Sequence, residues 1–185
     1  VEPQTLKELV QTTYRDVIKA DLGECYTPVQ VNIIDSIKSN KCFSFSAPTS
    51  TGKSHVFRRL ILGSEKDIVI FVPSRALINE YYITLCKNIP DKSINILTFV
   101  DKLNTLKAKR SIFILTPERA SDLFSRSGEF DIEYFLFDEA QLGEEISIRG
   151  LLFDSVVRRV SKFYPNAKMV FAQPFVANPE AQFSK

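Results

Sequence analysis

The sequence predicts an α/β domain with a mainly parallel sheet and helices on both faces, and three observations lead there. Short apolar runs of strand length alternate with amphipathic segments of helix length along most of the chain, the pattern of repeated strand–helix–strand units. Ala47, Pro73, Thr116, Asp138 and Gln173 each fall directly after an expected strand. They would therefore lie along one edge of the sheet, where such folds bind ligands. The 185 residues suffice for one well-buried domain and are few for two, and 44% hydrophobic with 25% charged residues is an ordinary globular composition. A single domain over residues 1–185 is expected, with residues 1–26 as a helical lead-in.

In chain order, a helix-like stretch runs from about Thr5 to Ala20 and a second from Pro28 to Ser39, whose proline suits a first helical position. Cys42-Phe43-Ser44-Phe45-Ser46 alternates apolar and polar residues as a strand does, giving a strand at Phe43–Ser46. Lys53–Leu62 repeats at helical spacing up to Gly63, a residue that ends helices. Apolar runs then place strands at Ile68–Val72, Ile94–Thr98, Ile112–Leu115, Tyr134–Phe137 and Met169–Ala172. Amphipathic segments between them give helices at Arg75–Lys87, Val100–Lys107, Pro117–Phe124 and Arg149–Phe163. Phenylalanine is frequent, at 15 residues, and its strand-bound positions suit a core better than stacking on bases.

Composition excludes several classes. The formal charge of +2 permits a polyanionic partner without demanding one. The basic runs Lys102, Lys107, Lys109, Arg110 and Arg158, Arg159, Lys162 read first as solvated faces. Cys25, Cys42 and Cys86 have neither zinc-site spacing nor an even count, so reduced, buried thiols are expected. His55 is the only histidine, and its place at a helix start suits packing or surface roles better than catalysis. Apolar runs reach strand length and no more, and Val1-Glu2-Pro3-Gln4 opens no signal peptide. A soluble, intracellular protein is expected, in the cytoplasm with the nucleus left open. A first residue of Val1 also suggests an excised or processed piece.

Two segments carry chemistry. Ala47-Pro48-Thr49-Ser50-Thr51-Gly52-Lys53-Ser54 lies between the first strand and its helix and reads as a phosphate-binding, Walker A-like loop. Unpaired N–H groups and the positive end of the helix dipole would face an anion there, with Lys53 reaching the β- and γ-phosphates and Ser54 holding magnesium. The generic pattern begins with glycine where this chain has Ala47. Tyr134-Phe135-Leu136-Phe137-Asp138-Glu139-Ala140-Gln141 is an apolar strand ending in two carboxylates, a Walker B arrangement. Asp138 would hold magnesium through water, and Glu139 would orient and deprotonate the attacking water. An acidic pair leaving a core strand for solvent is the bland alternative, weakened by the loop upstream.

Taken in order, these strand-end segments resemble the first RecA-like domain of superfamily-two, DEAD/DEAH-like helicases, most of all the Ski-like group. Tyr26-Thr27-Pro28-Val29-Gln30 resembles the family's Q motif, whose glutamine reads adenine; Gln30 takes that role by resemblance. Ala47 to Ser54 is similar to motif I, with Pro48, Thr49, Ser50, Thr51, Gly52, Lys53 and Ser54 as nucleotide contacts. Ser50 stands where many members carry glycine. Pro73-Ser74-Arg75-Ala76-Leu77 looks like motif Ia and Thr116-Pro117-Glu118-Arg119 like motif Ib, which implies strand-phosphate contacts at Pro73, Ser74, Arg75, Thr116, Pro117 and Arg119. Ser74 and Thr116-Pro117 serve equally well as helix caps. Asp138-Glu139-Ala140-Gln141 is similar to motif II, and Arg149-Gly150 matches an Arg-Gly of the Ski-like group.

The resemblance implies ATP and Mg2+ as cofactors, catalytic roles for Lys53, Asp138 and Glu139, and single-stranded DNA or RNA as partner, moved along 3′ to 5′. It also implies a second RecA-like domain, absent from these residues, that supplies arginines to the γ-phosphate. Two departures stand out. Gln141 replaces the usual fourth residue of motif II, and Ala172-Gln173-Pro174 replaces the Ser-Ala-Thr of motif III, ahead of an Asn178-Pro179-Glu180 that matches the Ski-like group. Gln141 and Gln173 are expected to pair as a coupling contact in place of the lost hydroxyls. The rival readings are a degenerate ATP-binding clamp without turnover and a small-molecule kinase built on the same loop.

Overall fold

The structure, a computed structural model, describes residues 28–46, 50–100, 108–138 and 148–173. Its elements in chain order are helix α1 (Pro28–Ser39), strand β1 (Cys42–Ser46), helix α2 (Ser50–Gly63), strand β2 (Asp67–Phe71) and helix α3 (Arg75–Asn88). Strands β3 (Ile94–Leu97) and β4 (Arg110–Leu115) follow, then a 3-10 turn at Pro117–Arg119 leading into the short helix α4 (Ala120–Ser125). A second 3-10 turn at Ser127–Glu129, strand β5 (Ile132–Asp138), helix α5 (Ile148–Phe163) and strand β6 (Lys168–Gln173) complete the set. All six expected strands are present. The expected helices at Thr5–Ala20 and, past its first residue, Val100–Lys107 lie outside the described residues.

Two elements differ from expectation for local reasons. Helix α2 begins at Ser50, earlier than the apolar periodicity indicates, because its first turn is built from loop residues that carry no hydrophobic stripe. The helix expected at Pro117–Phe124 is split. Arg119 N–H bonds back to Thr116 O at 3.0 Å, an i to i+3 closure, so the first turn tightens to 3-10 before the α geometry sets in at Ala120.

The six strands form one wholly parallel sheet in the order β1-β6-β5-β2-β4-β3. Side chains alternate between its two faces, and each face carries its own core. On one, Ile68, Ile70, Ile112, Ile114, Leu136 and Val170 pack beneath α1, α2 and α3. On the other, Val69, Phe71, Phe113, Phe135, Phe137 and Phe171 pack beneath α4 and α5. The second core is aromatic: Phe137 stacks on Phe171 at 4.7 Å and on Phe71 at 5.1 Å between centroids, with Phe153 of α5 tilted against it at 5.2 Å. The phenylalanines of β2, β4, β5 and β6 therefore serve the core, as expected of the strand-bound ones, while Phe99 and Phe163 are exposed.

At the amino edge of the sheet, Asp67 ties three strands together. Its carboxylate accepts the Ser111 N–H at 2.7 Å and the Asp131 N–H at 3.2 Å. Burial pushes its pKa above the ordinary 3.8, and the two backbone donors pull it partly back. Because the folded pKa is raised, the stability this carboxyl contributes is fully present below 3.8 and is lost as pH rises through the folded value. Asp67→Asn keeps one acceptor and removes the titration. In urea unfolding, the wild type's stability relative to Asp67→Asn is expected to fall as pH rises from about 4 to about 7. Asp67→Ala, which leaves the buried Ser111 N–H without an acceptor, is expected to cost about 1–3 kcal/mol.

Candidate functional site

All carboxyl ends of a parallel sheet lie at one edge, and the order found here sets β5 between β6 and β2 there. Asp138 is the last residue of β5, flanked by Phe137, which pairs with Phe71 of β2, and paired itself with Ala172 of β6. It therefore belongs to the strand instead of following it, and its direction is set by the ladder.

Across from it, the first turn of α2 holds Lys53, only 8% exposed. Its Nζ donates to Asp138 Oδ1 at 3.0 Å, an ion pair between side chains 11% and 9% exposed. The hydroxyl of Tyr81, in the middle of α3, donates to the other carboxylate oxygen, Oδ2, at 2.8 Å. Three elements thus converge on one carboxylate. Helix α2 starts at Ser50, so the backbone N–H groups of Ser50, Thr51 and Gly52 in its first turn are among the donors that an α-helix leaves without intrahelical partners. Such a helix start attracts anions.

Of the remaining expected nucleotide contacts, Ser54 is exposed in that first part of α2, and Gln30 is half-buried in the first turn of α1, which packs on α2. Pro48, Thr49 and Glu139 lie outside the described residues, as does Gln141. Gln173, the last residue of β6, is fully buried, and neither its amide oxygen nor its nitrogen has a hydrogen-bond partner among the described residues.

The expected strand contacts sit on the next loops of the same edge. Ser74 caps α3: its Oγ accepts the Leu77 N–H at 3.4 Å from an extended backbone, φ −146° and ψ 157°. Arg75 is exposed at the first position of α3, and Pro73 is half-buried. Thr116 is buried at the head of the 3-10 turn and makes no side-chain cap bond, with Pro117 following. Arg119 is tethered, its Nη1 donating to Thr98 O at 2.9 Å. The cap reading thus holds for Ser74 and not for the Thr116 side chain.

Sequence reasoning missed Tyr81. It lies on the inward stripe of α3 with Ile78 and Leu85, so spacing marks it as packing. Only its hydroxyl, at the end of an otherwise apolar stripe, was a signal. A half-open cleft of about 170 Å3 between α2 and α3 is lined by Ser54, His55, Arg58, Glu80 and Tyr81 among others. It is smaller than the clefts that enclose drug-sized ligands, so a nucleotide would occupy the open strand-end edge beside Lys53.

Chemically, a buried ammonium, a carboxylate and a helix start in one place suit a phosphorylated ligand carrying a divalent cation. Among the described residues no group of three or more His, Cys, Asp or Glu side chains could hold a metal ion. Magnesium needs no such cage, since one or two carboxylates plus phosphate oxygens hold it, and Asp138 with Ser54 fits that donor set. Among the described residues no helix is long and apolar enough to cross a membrane.

Comparison with known proteins bears on the family of this fold. The family model for DEAD/DEAH box helicases matches residues 27–172. Anti-bacteriophage protein B of Escherichia coli (strain K12) is 30% identical over 133 residues, 71% of this chain, and the chain spans 17% of that relative's length. With its parallel α/β sheet and a family match over most of its length, the chain belongs to the DEAD/DEAH box helicase family.

Proposed function

We propose that this chain is the ATP-binding first motor domain of a nucleic-acid helicase or translocase of the Ski-like kind. The observation that carries the reading is the Lys53–Asp138 pair: two residues 85 positions apart, each expected from its own motif to hold Mg-ATP, meet at 3.0 Å on the strand-end edge. When bound, Mg2+ supplies charge neutralisation on the β- and γ-phosphates. With Mg-ATP bound, Lys53 would turn from Asp138 to the phosphates, Ser54 and Asp138 would hold the metal, Gln30 would recognise adenine, and Glu139 would take the proton from the attacking water. The first-turn N–H groups of α2, with Pro48 and Thr49 ahead of them, cradle the phosphate chain.

A single strand of DNA or RNA would run over the starts of α3 and the 3-10 turn, held at Pro73, Ser74, Arg75, Thr116, Pro117 and Arg119 through sequence-blind phosphate contacts. The test is steady-state ATP hydrolysis by the full-length protein with and without single-stranded DNA or RNA. Stimulation supports the motor, tight ATP binding without turnover supports the clamp, and turnover indifferent to any strand supports a metabolic enzyme. The likeness to Anti-bacteriophage protein B makes phage-derived strands the first to try.

Two outcomes follow for single residues. Arg75, exposed at the start of α3, is expected to touch phosphate, so Arg75→Ala should weaken binding equally for all base sequences. It should also lower the salt slope by about 0.7 on a single strand. Fluorescence anisotropy across a salt series measures both, and a loss confined to one base sequence would contradict backbone tracking. Gln173 is the second. A fully buried amide without a partner is costly, and Gln141 is the side chain we assign to it as the coupling contact. A double-mutant cycle on strand-stimulated hydrolysis should show non-additivity, and additive effects would remove the pair.

A further inference from the structure

Resting on the function proposed above, we infer that Tyr81 is a positioning residue that couples strand occupancy at the start of α3 to the metal-holding carboxylate of Asp138. The hydroxyl donates to Asp138 Oδ2 at 2.8 Å, while Lys53 takes the opposite oxygen, Oδ1, at 3.0 Å. Once Lys53 turns to the phosphates, Tyr81 remains as a donor that fixes the plane of the carboxylate. Its orientation then depends in part on where α3 stands.

Helix α3 is also the element whose first turn meets the strand. Ser74 caps it and Arg75 opens it, about 9 Å along the axis from Tyr81 at 1.5 Å per residue. The span between them is rigid: the cap bond anchors the start, and Ile78 and Leu85, buried on the same stripe, seat the helix on the sheet. A shift of α3 as one body under a bound phosphate backbone would carry the Tyr81 hydroxyl with it, and through that hydroxyl the carboxylate of Asp138. A phenylalanine would fill the same space and transmit nothing.

Coupling of this kind is reciprocal. In the full-length protein, a single strand should tighten Mn2+ binding in the presence of a non-hydrolysable ATP analogue, read from the free-Mn2+ electron paramagnetic resonance signal, with DNA and RNA in separate arms. Tyr81→Phe should cut that tightening factor by about tenfold or more, or to unity if the wild-type factor is smaller, as expected for one hydrogen bond to a charged group. Tyr82→Phe, on the neighbouring exposed tyrosine, should leave the factor as in the wild type. The thermal midpoint of Tyr81→Phe should fall only by what the loss of one hydrogen bond costs, since the ring and its packing are kept; a purely structural role would lower the midpoint and leave the factor alone. A folded Tyr81→Phe protein with an unchanged factor, or a wild-type factor of one in both arms, overturns the inference while the function stands. Absence of any metal-dependent nucleotide binding by the wild type overturns the function and the inference with it.

Discussion

Glu139→Gln is expected to lower strand-stimulated ATP hydrolysis by about 10²–10⁴-fold, the range of general base catalysis, while Mg-ATP affinity stays within about twofold of wild type. The argument begins at Asp138. Its carboxylate closes β5 and is engaged on both oxygens, by Lys53 on one and Tyr81 on the other, so it is committed to binding and orientation. Glu139, the next residue in the chain, is the carboxylate we propose for the proton. Its amide keeps size and hydrogen-bonding shape and loses only basicity, so the defect should fall on kcat and spare binding. Lys53→Ala should show the opposite split. It removes the buried cation, and truncating one partner of a buried charge pair costs about 2–5 kcal/mol, roughly 30-fold to several-thousand-fold in Kd for Mg-ATP. Titration calorimetry for binding and phosphate release for turnover separate the two variants. Unchanged turnover in Glu139→Gln would take the residue out of its role.

Why the two halves of this site differ in legibility is a matter of range. The strand that ends in Asp138 could be read directly, because Tyr134-Phe135-Leu136-Phe137 is a buried run cut short by a carboxylate. The start of α2 was legible as a loop motif but its first residue was not, since Ser50 to Gly52 carry no hydrophobic stripe. Local periodicity contains no information on strand order. That β5 sits between β2 and β6, which brings α3 against Asp138, emerges only from the packed sheet, and with it the part played by Tyr81. The 3-10 turn at Pro117–Arg119 was hidden for another reason. Pro117 suits the first position of either helix type, and the Arg119 to Thr116 closure together with the Arg119 tether to Thr98 O selects the tighter one.

The isolated chain is expected to hydrolyse ATP about 10³–10⁵-fold more slowly than the full-length protein with a strand bound, the worth of an arginine supplied from outside the loop-bearing domain. Lys53 can stabilise the phosphates from the α2 side. Charge developing on the γ-phosphate as the bond to the leaving group breaks needs a cation on the opposite, solvent-open side of the strand-end edge. Arg119, a cation of that edge, is tethered to the Thr98 carbonyl at 2.9 Å, and Arg75 is assigned here to the strand. A second RecA-like domain closing over the edge would bring the missing arginines and exclude water together. The fold itself does not wait for that partner. Both faces of the sheet already carry closed cores, one aliphatic beneath α1, α2 and α3 and one aromatic beneath α4 and α5. The fragment should accordingly unfold cooperatively and bind Mg-ATP weakly. Steady-state hydrolysis by the 185-residue chain and by the full-length protein, each at saturating strand, measures the ratio. Strong strand-stimulated turnover by a monomer of this chain alone would mean that its own residues complete the catalytic site, and the two-domain reading would be wrong.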